Sequence, residues 1–231
     1  MDDFIKWRGI EQTFLDLIER PAWIHEAMER MTQGFLAKLD QMEALNALGL
    51  NNRHSRSTSG GLDFTDELPA PDFDGVHVRT RDMWGHATTQ IFSDVSPAMH
   101  DEFALAYERR YMARFGLNNY GCCEPLHNKI HLLRGLPNLR RISMSPWIDP
   151  EKGAAEIGRD FIFSYKPNPA ALGAEQWAPE HAETEMRRVL EQTRGCAVEL
   201  VLKDLHSCRG DVRRIADWRR IAHRLAEEFA A

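Results

Sequence analysis

From Thr89 to the C-terminus, short strand-like runs alternate with helical stretches, and this alternation restricts the fold more than any other feature of the 231-residue chain. Thr89–Ser93, Leu117–Cys122, Leu139–Met144, Phe161–Tyr165 and Ala197–Leu202 read as strands. Leu48–Asn52 reads as one more, making six. Helix signals fall between them. Ser96-Pro97 and Asp149-Pro150 each pair a cap with a first-turn proline. Gly195 closes a helix from Pro179 to Thr193, and Asp211 opens a last one that buries Ile215, Trp218, Ile221, Ala222, Leu225 and Phe229. Repeated strand-helix order predicts an α/β fold with a parallel sheet or barrel, its strand ends at Cys122, Met144, Tyr165 and Lys203 on one rim.

Ahead of this region, Ile24, Met28, Met31, Phe35, Leu39 and Met42 recur at helical spacing, with Pro21 suited to the first turn and Gly49 beyond the end. Residues 53–86 are rich in Ser, Gly, Pro and Asp and read as a long loop or lid insertion within a single domain spanning 1–231. The net charge of -6 argues against general nucleic-acid binding, which needs surplus Lys and Arg. No apolar run is long enough for a bilayer, so no membrane association is expected. The start, Met-Asp-Asp-Phe-Ile-Lys, is acidic where a secretory signal is basic, and a cytoplasmic location is expected. Four cysteines are too few for a disulfide scaffold, and adjacent Cys122 and Cys123 rarely bridge each other, so free thiols are expected.

Two polar clusters follow strands. Tyr120-Gly-Cys-Cys-Glu-Pro-Leu-His127 brings two thiols, a carboxylate and an imidazole together; Lys203-Asp-Leu-His-Ser-Cys208 follows the last strand. Sulfur and imidazole nitrogen suit zinc, which makes Cys122, Cys123, Glu124 and His206 candidate ligands. Strand alternation puts Cys122 and Glu124 on one side and Gly121 and Cys123 on the other, and the pattern leaves open which side faces the site. The bland alternative is that both cysteines are small buried residues. His206 suits either a ligand or a general acid. Lys166, in a loop stiffened by Pro167 and Pro169, is a candidate catalytic residue. Asn51, Asn52, Tyr120 and Tyr165 are candidates for contact with a small-molecule substrate.

His127 is expected to contact its own helix, and Asp204 and Cys208 either join the site or hold their loop. Asp66 and Glu67 read as solvated loop residues. Arg134, Arg140 and Arg141 read as solvated surface, and Trp23, Trp177 and Trp218 as core.

Ile91-Phe-Ser-Asp-Val-Ser-Pro97 with Glu102-Phe103-Ala-Leu-Ala-Tyr107 resembles the "strand, Leu-Ser-Pro, Glu-Phe, Pro-Tyr" segment of the uroporphyrinogen decarboxylase superfamily. Phe161 to Leu172 sits where that superfamily has a Gly-Asn-Leu-Asp-Pro turn, and the cluster ending at His206 sits where it has Gly-His-Gly or Gly-Cys-Gly. Gly121-Cys122-Cys123 falls at the His-x-Cys zinc motif of its corrinoid methyltransferases. The resemblance runs from about Thr88 to the end. It implies a (β/α)8 TIM barrel, zinc at the thiols, and methyl transfer between a corrinoid or methylated donor and a thiol-type acceptor, with a corrinoid protein as partner. A tetrapyrrole carboxy-lyase is the alternative enzyme. Six strands fall short of eight, and the Arg-rich segment of the decarboxylases is missing. The barrel is therefore expected to be incomplete, lacking N-terminal β/α units, and a split half-barrel acting as a subunit or homodimer is the third expectation. Its open sheet edge would need pairing or cover.

Overall fold

The computed structural model describes residues 1–53, 55–56 and 61–230; residues 54 and 57–60 of the expected insertion lie outside the described residues. Five strands, β1 (Trp84–Ala87), β2 (Leu117–Tyr120), β3 (Leu139–Met144), β4 (Ile162–Tyr165) and β5 (Ala197–Leu200), form one parallel sheet in chain order. Three helices precede it: α1 (Asp2–Arg8), α2 (Ile10–Glu19) and α3 (Pro21–Ala44). The crossovers hold α4 (Pro97–His100), which runs through a π-helical turn into α5 (Ala106–Met112), then α6 (Ile130–Leu133), α7 (Pro150–Ile157), α8 (Ala170–Gly173) and α9 (Pro179–Gln192). The last helix is α10 (Arg213–Phe229).

The capping signals act as their chemistry requires. Ser96 Oγ accepts from Met99 N at 3.2 Å, Asp149 Oδ1 accepts from Lys152 N at 3.2 Å, and Pro97, Pro150 and Pro179 stand in first turns. Asp211 accepts from Arg213 N at 3.2 Å just ahead of α10.

Strand alternation divides the sheet into two unlike faces. Ala87, Tyr120, Ile142 and Phe163 are neighbours in register and pack with Met112, Leu133, Ile157 and Val189 of the crossover helices. This is the largest apolar core. A second cluster seats Phe4, Leu17, Ile24 and Met28 of α1–α3 on Phe92 and Phe103, and a third joins α9 to α10 through Met186, Trp218 and Leu225.

The opposite face carries His86, Asn119, Arg141, Ser143, Ser164 and Glu199, and the chain around Asp63 lies across it. Buried Arg141 donates to Asn119 Oδ1 at 2.7 Å, to Asp63 Oδ1 at 3.2 Å and to Leu62 O at 2.6 Å, and its Nε pairs with Glu199 Oε1 at 2.8 Å. Its guanidinium stacks over Trp84, whose indole donates to Asp63 O at 3.1 Å. A Cβ at Gly61 would meet the Glu199 carboxylate, which would have to shift to make room for it.

Several expectations are corrected here. Leu48–Asn52 is not a strand: the Asn51 side chain takes over the pairing, donating to Trp84 O at 2.9 Å and accepting from Trp84 N at 2.8 Å along the β1 edge. The strand expected at Thr89 lies earlier, at Trp84–Ala87, overlapping the end of the stretch read as loop. Gln90–Phe92 is instead a 3-10 turn, held by Asp2, which accepts from Gln90 N at 3.0 Å. Arg141 is a buried ion, not a solvated one; Arg134 and Arg140 are surface partners of Asp160 and Glu67. Trp218 is core as expected, whereas Trp23 is partly exposed between Arg8 and Arg20. Trp7, Ile10, Phe14 and Ile18 form an apolar stripe that faces solvent on α1 and α2. Among the described residues, no helix is long and apolar enough to cross a membrane.

Candidate functional site at the strand ends

Parallel strands in chain order end along one rim, so residues from separate loops meet there. The chain leaves β2 at Gly121, whose φ of 91° lies where glycine alone is relaxed. The turn that follows is pinned from below. Ser143 Oγ donates to Cys122 O at 2.7 Å, and the buried Glu124 carboxylate accepts from Cys122 N at 2.9 Å and from Thr88 Oγ1 at 2.9 Å. Burial raises the Glu124 pKa against these hydrogen bonds.

Held in this way, Cys122 and Cys123 lie side by side, with sulfurs 3.5 Å apart. Lys203, just past β5, reaches both: its Nζ is 3.2 Å from Cys122 Sγ and 3.0 Å from Cys123 Sγ. Asp204 completes the cluster, 2.8 Å from Lys203 Nζ and 3.5 Å from Cys123 Sγ. It adopts φ 56°, a left-handed conformation that Asp tolerates better than most residues. The hydrogen bond shared with Cys122, and then burial, push the Cys123 thiol up against the pull of Lys203. Burial pulls Lys203 down, but Asp204 and the two thiols outweigh it and hold the ammonium charged. One firm positive charge therefore faces a sulfur pair that resists losing both protons.

A second lysine behaves differently. Lys166 follows β4, is almost fully buried, and donates to Ser164 Oγ at 2.7 Å and Ser164 O at 3.0 Å. Burial brings its pKa down to about 7; Glu199 opposes this, and Lys203 and Arg141 add to it. Burial, and then Lys166 and Lys203, lower the His86 pKa on β1 to about 4.

The candidates from sequence are thus placed unequally. Cys122, Cys123 and Lys166 come to the rim. Glu124 lies beneath the thiols with its carboxylate turned to Thr88 and the Cys122 amide. His206 is exposed on the loop after β5, close to Asp204. Tyr120 and Tyr165 point into the helix layer: Tyr120 Oη lies 2.7 Å from His100 Nε2 and donates to Glu108 at 2.9 Å, and Tyr165 Oη donates to Glu185 at 2.9 Å. Asn51 bonds to Trp84 of β1, and buried Asn52 donates to Leu68 O. These four side chains are committed to structural bonds, away from the thiols. Lys203, Thr88 and His86 were not singled out from sequence, although Lys203 stood within a noted cluster.

Two sulfurs bound to one tetrahedral zinc lie about 3.7 Å apart, given a zinc–sulfur distance of about 2.3 Å. The Cys122–Cys123 separation fits two such positions. A third donor is not in place: among the described residues, no group of three or more His, Cys, Asp or Glu side chains is gathered to hold a metal. The fold and rim thus define an α/β protein with a thiol–lysine cluster at its strand ends. No protein-family model, curated protein or solved structure matches the chain.

Proposed function

We propose that the chain is a barrel-type protein of the uroporphyrinogen decarboxylase superfamily that moves a methyl group from a corrinoid or other methylated donor to a thiol-type acceptor. The observation that carries this is the sulfur pair at a strand end, both members within 3.2 Å of one ammonium. The sequential parallel order supports the barrel, which is built by adding strands in chain order.

In the transfer, the acceptor S–H loses its proton, a sulfur–carbon bond forms, and the donor–carbon bond breaks with its electron pair left on the donor. Lys203, oriented by Asp204, is suited to stabilise negative charge on the acceptor sulfur. Lys166, with a pKa of about 7, is suited to take the proton. No step is assigned to zinc, whose donor set falls one short.

The test is incubation with methylcobalamin and 2-mercaptoethanol, with and without added zinc, followed by the cobalamin spectrum and by mass spectrometry of the thioether. Thioether formation that is lost in the Lys203→Met variant is expected; none from the wild type under either condition would remove the proposal. One observation favours a carboxy-lyase instead: Lys166 and Lys203 at one rim suit substrate carboxylates. Carbon dioxide release from uroporphyrinogen would select it. The segment around Asp63, lying across the polar sheet face, weighs against a half-barrel waiting for partner strands on that face.

A further inference from the structure

The two edges of the sheet are finished differently. At the β1 edge the Asn51 side chain occupies both main-chain groups of Trp84. At the other edge, β5 is last in the strand order, and among the described residues no strand pairs with its outer side. Val201 N donates to Tyr165 O at 2.9 Å, and the direction of the main-chain groups alternates back from there. Ala197 and Glu199 turn toward β4, while Val198 and Leu200 turn their N–H and C=O groups away from it. Of the five strands, β5 alone has no buried residue. An unpaired edge of this kind is a template for another strand.

A groove of about 1,020 Å³ runs along this edge, lined by the six consecutive residues Gly195 to Leu200. Successive side chains of a strand point to opposite faces, so a pocket on one face is lined by alternate residues, and an unbroken run marks the edge itself. At about 3.3 Å per residue the run is about 20 Å long, the reach of an extended segment of about six residues. The far wall is the face of α10 that carries Trp218, Ala222, Ala226 and Phe229.

Charge selects the occupant. Arg159, Arg194 and Arg219 line the groove and are exposed, and among the described residues none of them has a carboxylate partner. Arg194 lies over the Phe229 ring, 4.9 Å from its centroid. Glu199 is the one acid of the lining, and its carboxylate is turned to Arg141 and Ser164 on the polar face. A chain with a net charge of -6 thus keeps a positive groove at its open edge. Two copies joined edge to edge about a twofold axis would set these arginines against one another, which disfavours self-pairing. A nucleic acid would meet the charges but has no regular row of donors and acceptors to match a strand edge.

We propose that the outer edge of β5 takes an extended acidic segment of a partner protein as an added strand, its main chain paired with Val198 and Leu200 and its carboxylates set on Arg159, Arg194 and Arg219. Main-chain bonds of this kind give affinity, and the side-chain contacts select the sequence. The groove shares no residue with the thiol–lysine cluster, so this binding does not rest on the methyl-transfer proposal.

The test uses the full chain and three capped hexapeptides, built of three Glu-Val, three Lys-Val or three Glu-Pro repeats. Binding is followed by calorimetry and by amide hydrogen exchange. The Glu-Val peptide should bind saturably with a Kd of about 10–100 µM at low salt and slow exchange of the Val198 and Leu200 amides at least about tenfold. The Lys-Val peptide carries the wrong charge, and the Glu-Pro peptide lacks alternate N–H donors; each should bind at least about tenfold more weakly. Arg159→Glu/Arg219→Glu, changed only at exposed positions, should weaken Glu-Val binding at least about tenfold and melt at the wild-type temperature. No saturable binding of the Glu-Val peptide to the wild type, or binding that leaves Val198 and Leu200 exchange unmoved, would overturn the proposal even if the variant failed to fold. Equal affinity for the Glu-Val and Glu-Pro peptides, or tighter binding of oligouridine than of the Glu-Val peptide, would overturn it as well. Light scattering of the free chain should give a monomer; a stable dimer with these two amides already protected would assign the edge to a second copy instead.

Discussion

On its helix side the sheet buries Ala87, Tyr120, Ile142 and Phe163 against Met112, Leu133, Ile157 and Val189. On its other side it buries Arg141 between Asp63 and Glu199, with Trp84 beneath the guanidinium. The first face stabilises by removing apolar surface from water and places no precise demand on direction. The second spends desolvation energy to hold ions in fixed positions, and a buried ion pair often contributes little net stability. What it provides is a charged floor: Arg141 and Glu199 act on Lys166, which sits just above them at the rim. Stability and chemistry are thus divided between the two faces of one sheet.

The sharpest break of this comparison is Arg141→Ala. It leaves the Asp63 and Glu199 carboxylates without the cation between them, and a loss of about 3–5 kcal/mol in urea unfolding is expected. Replacing Asp63, Arg141 and Glu199 together by apolar residues of similar volume should restore most of that loss, because the uncompensated charges go with it. If the single and triple variants were equally unstable, the polar face would be acting by packing alone.

Phe163→Ala tests the other face, with an expected loss of about 3–4 kcal/mol from a fully buried ring. No polar substitution partner should rescue it, in contrast to Arg141.

Lys166→Met sharpens the boundary between the faces through pH. The folded-state pKa of Lys166 is lowered, so the unfolded chain binds more protons between about pH 7 and pH 10.5 and wild-type stability rises with pH across that window. The charged-state penalty is full below pH 7 and gone above 10.5. The variant should therefore be more stable than wild type at pH 6, by on the order of 2–4 kcal/mol, and the gap should close near pH 10.5. A gap that does not change with pH would mean that Lys166 stays charged in the folded protein. A smaller effect is expected at the rim itself: Lys203→Met should slow iodoacetamide alkylation of the Cys122–Cys123 pair at pH 7 by about tenfold, with little change in melting temperature.

Where sequence and structure agree, the signals are local. Four strands begin within one residue of the starts expected at Leu117, Leu139, Phe161 and Ala197, and the Ser-Pro and Asp-Pro helix starts are in place. β1 was hidden because Gly85 and His86 interrupt the alternation that marks a strand. Asn51 imitates a strand with its side chain, which a run of backbone propensities does not register. The Asp63–Arg141 pair spans 78 residues and has no local signature. At the site, the sulfur pair and Lys166 were visible as residue types at strand ends. Period-two counting put Cys122 with Glu124 on one side and Cys123 on the other, yet the positive φ at Gly121 ends that alternation and leaves the two sulfurs side by side, 3.5 Å apart.

The central claim is that Cys122, Cys123 and Lys203 form one thiol-centred site at the strand ends, and capture of phenylarsine oxide, which bridges paired thiols, tests it most directly. The wild type should bind about one equivalent per chain through the two adjacent sulfurs. Cys122→Ser and Cys123→Ser should each bind almost none, and the Cys196→Ala/Cys208→Ala variant should bind as much as wild type. Equal capture by wild type and either single serine variant, or by neither, would contradict the claim.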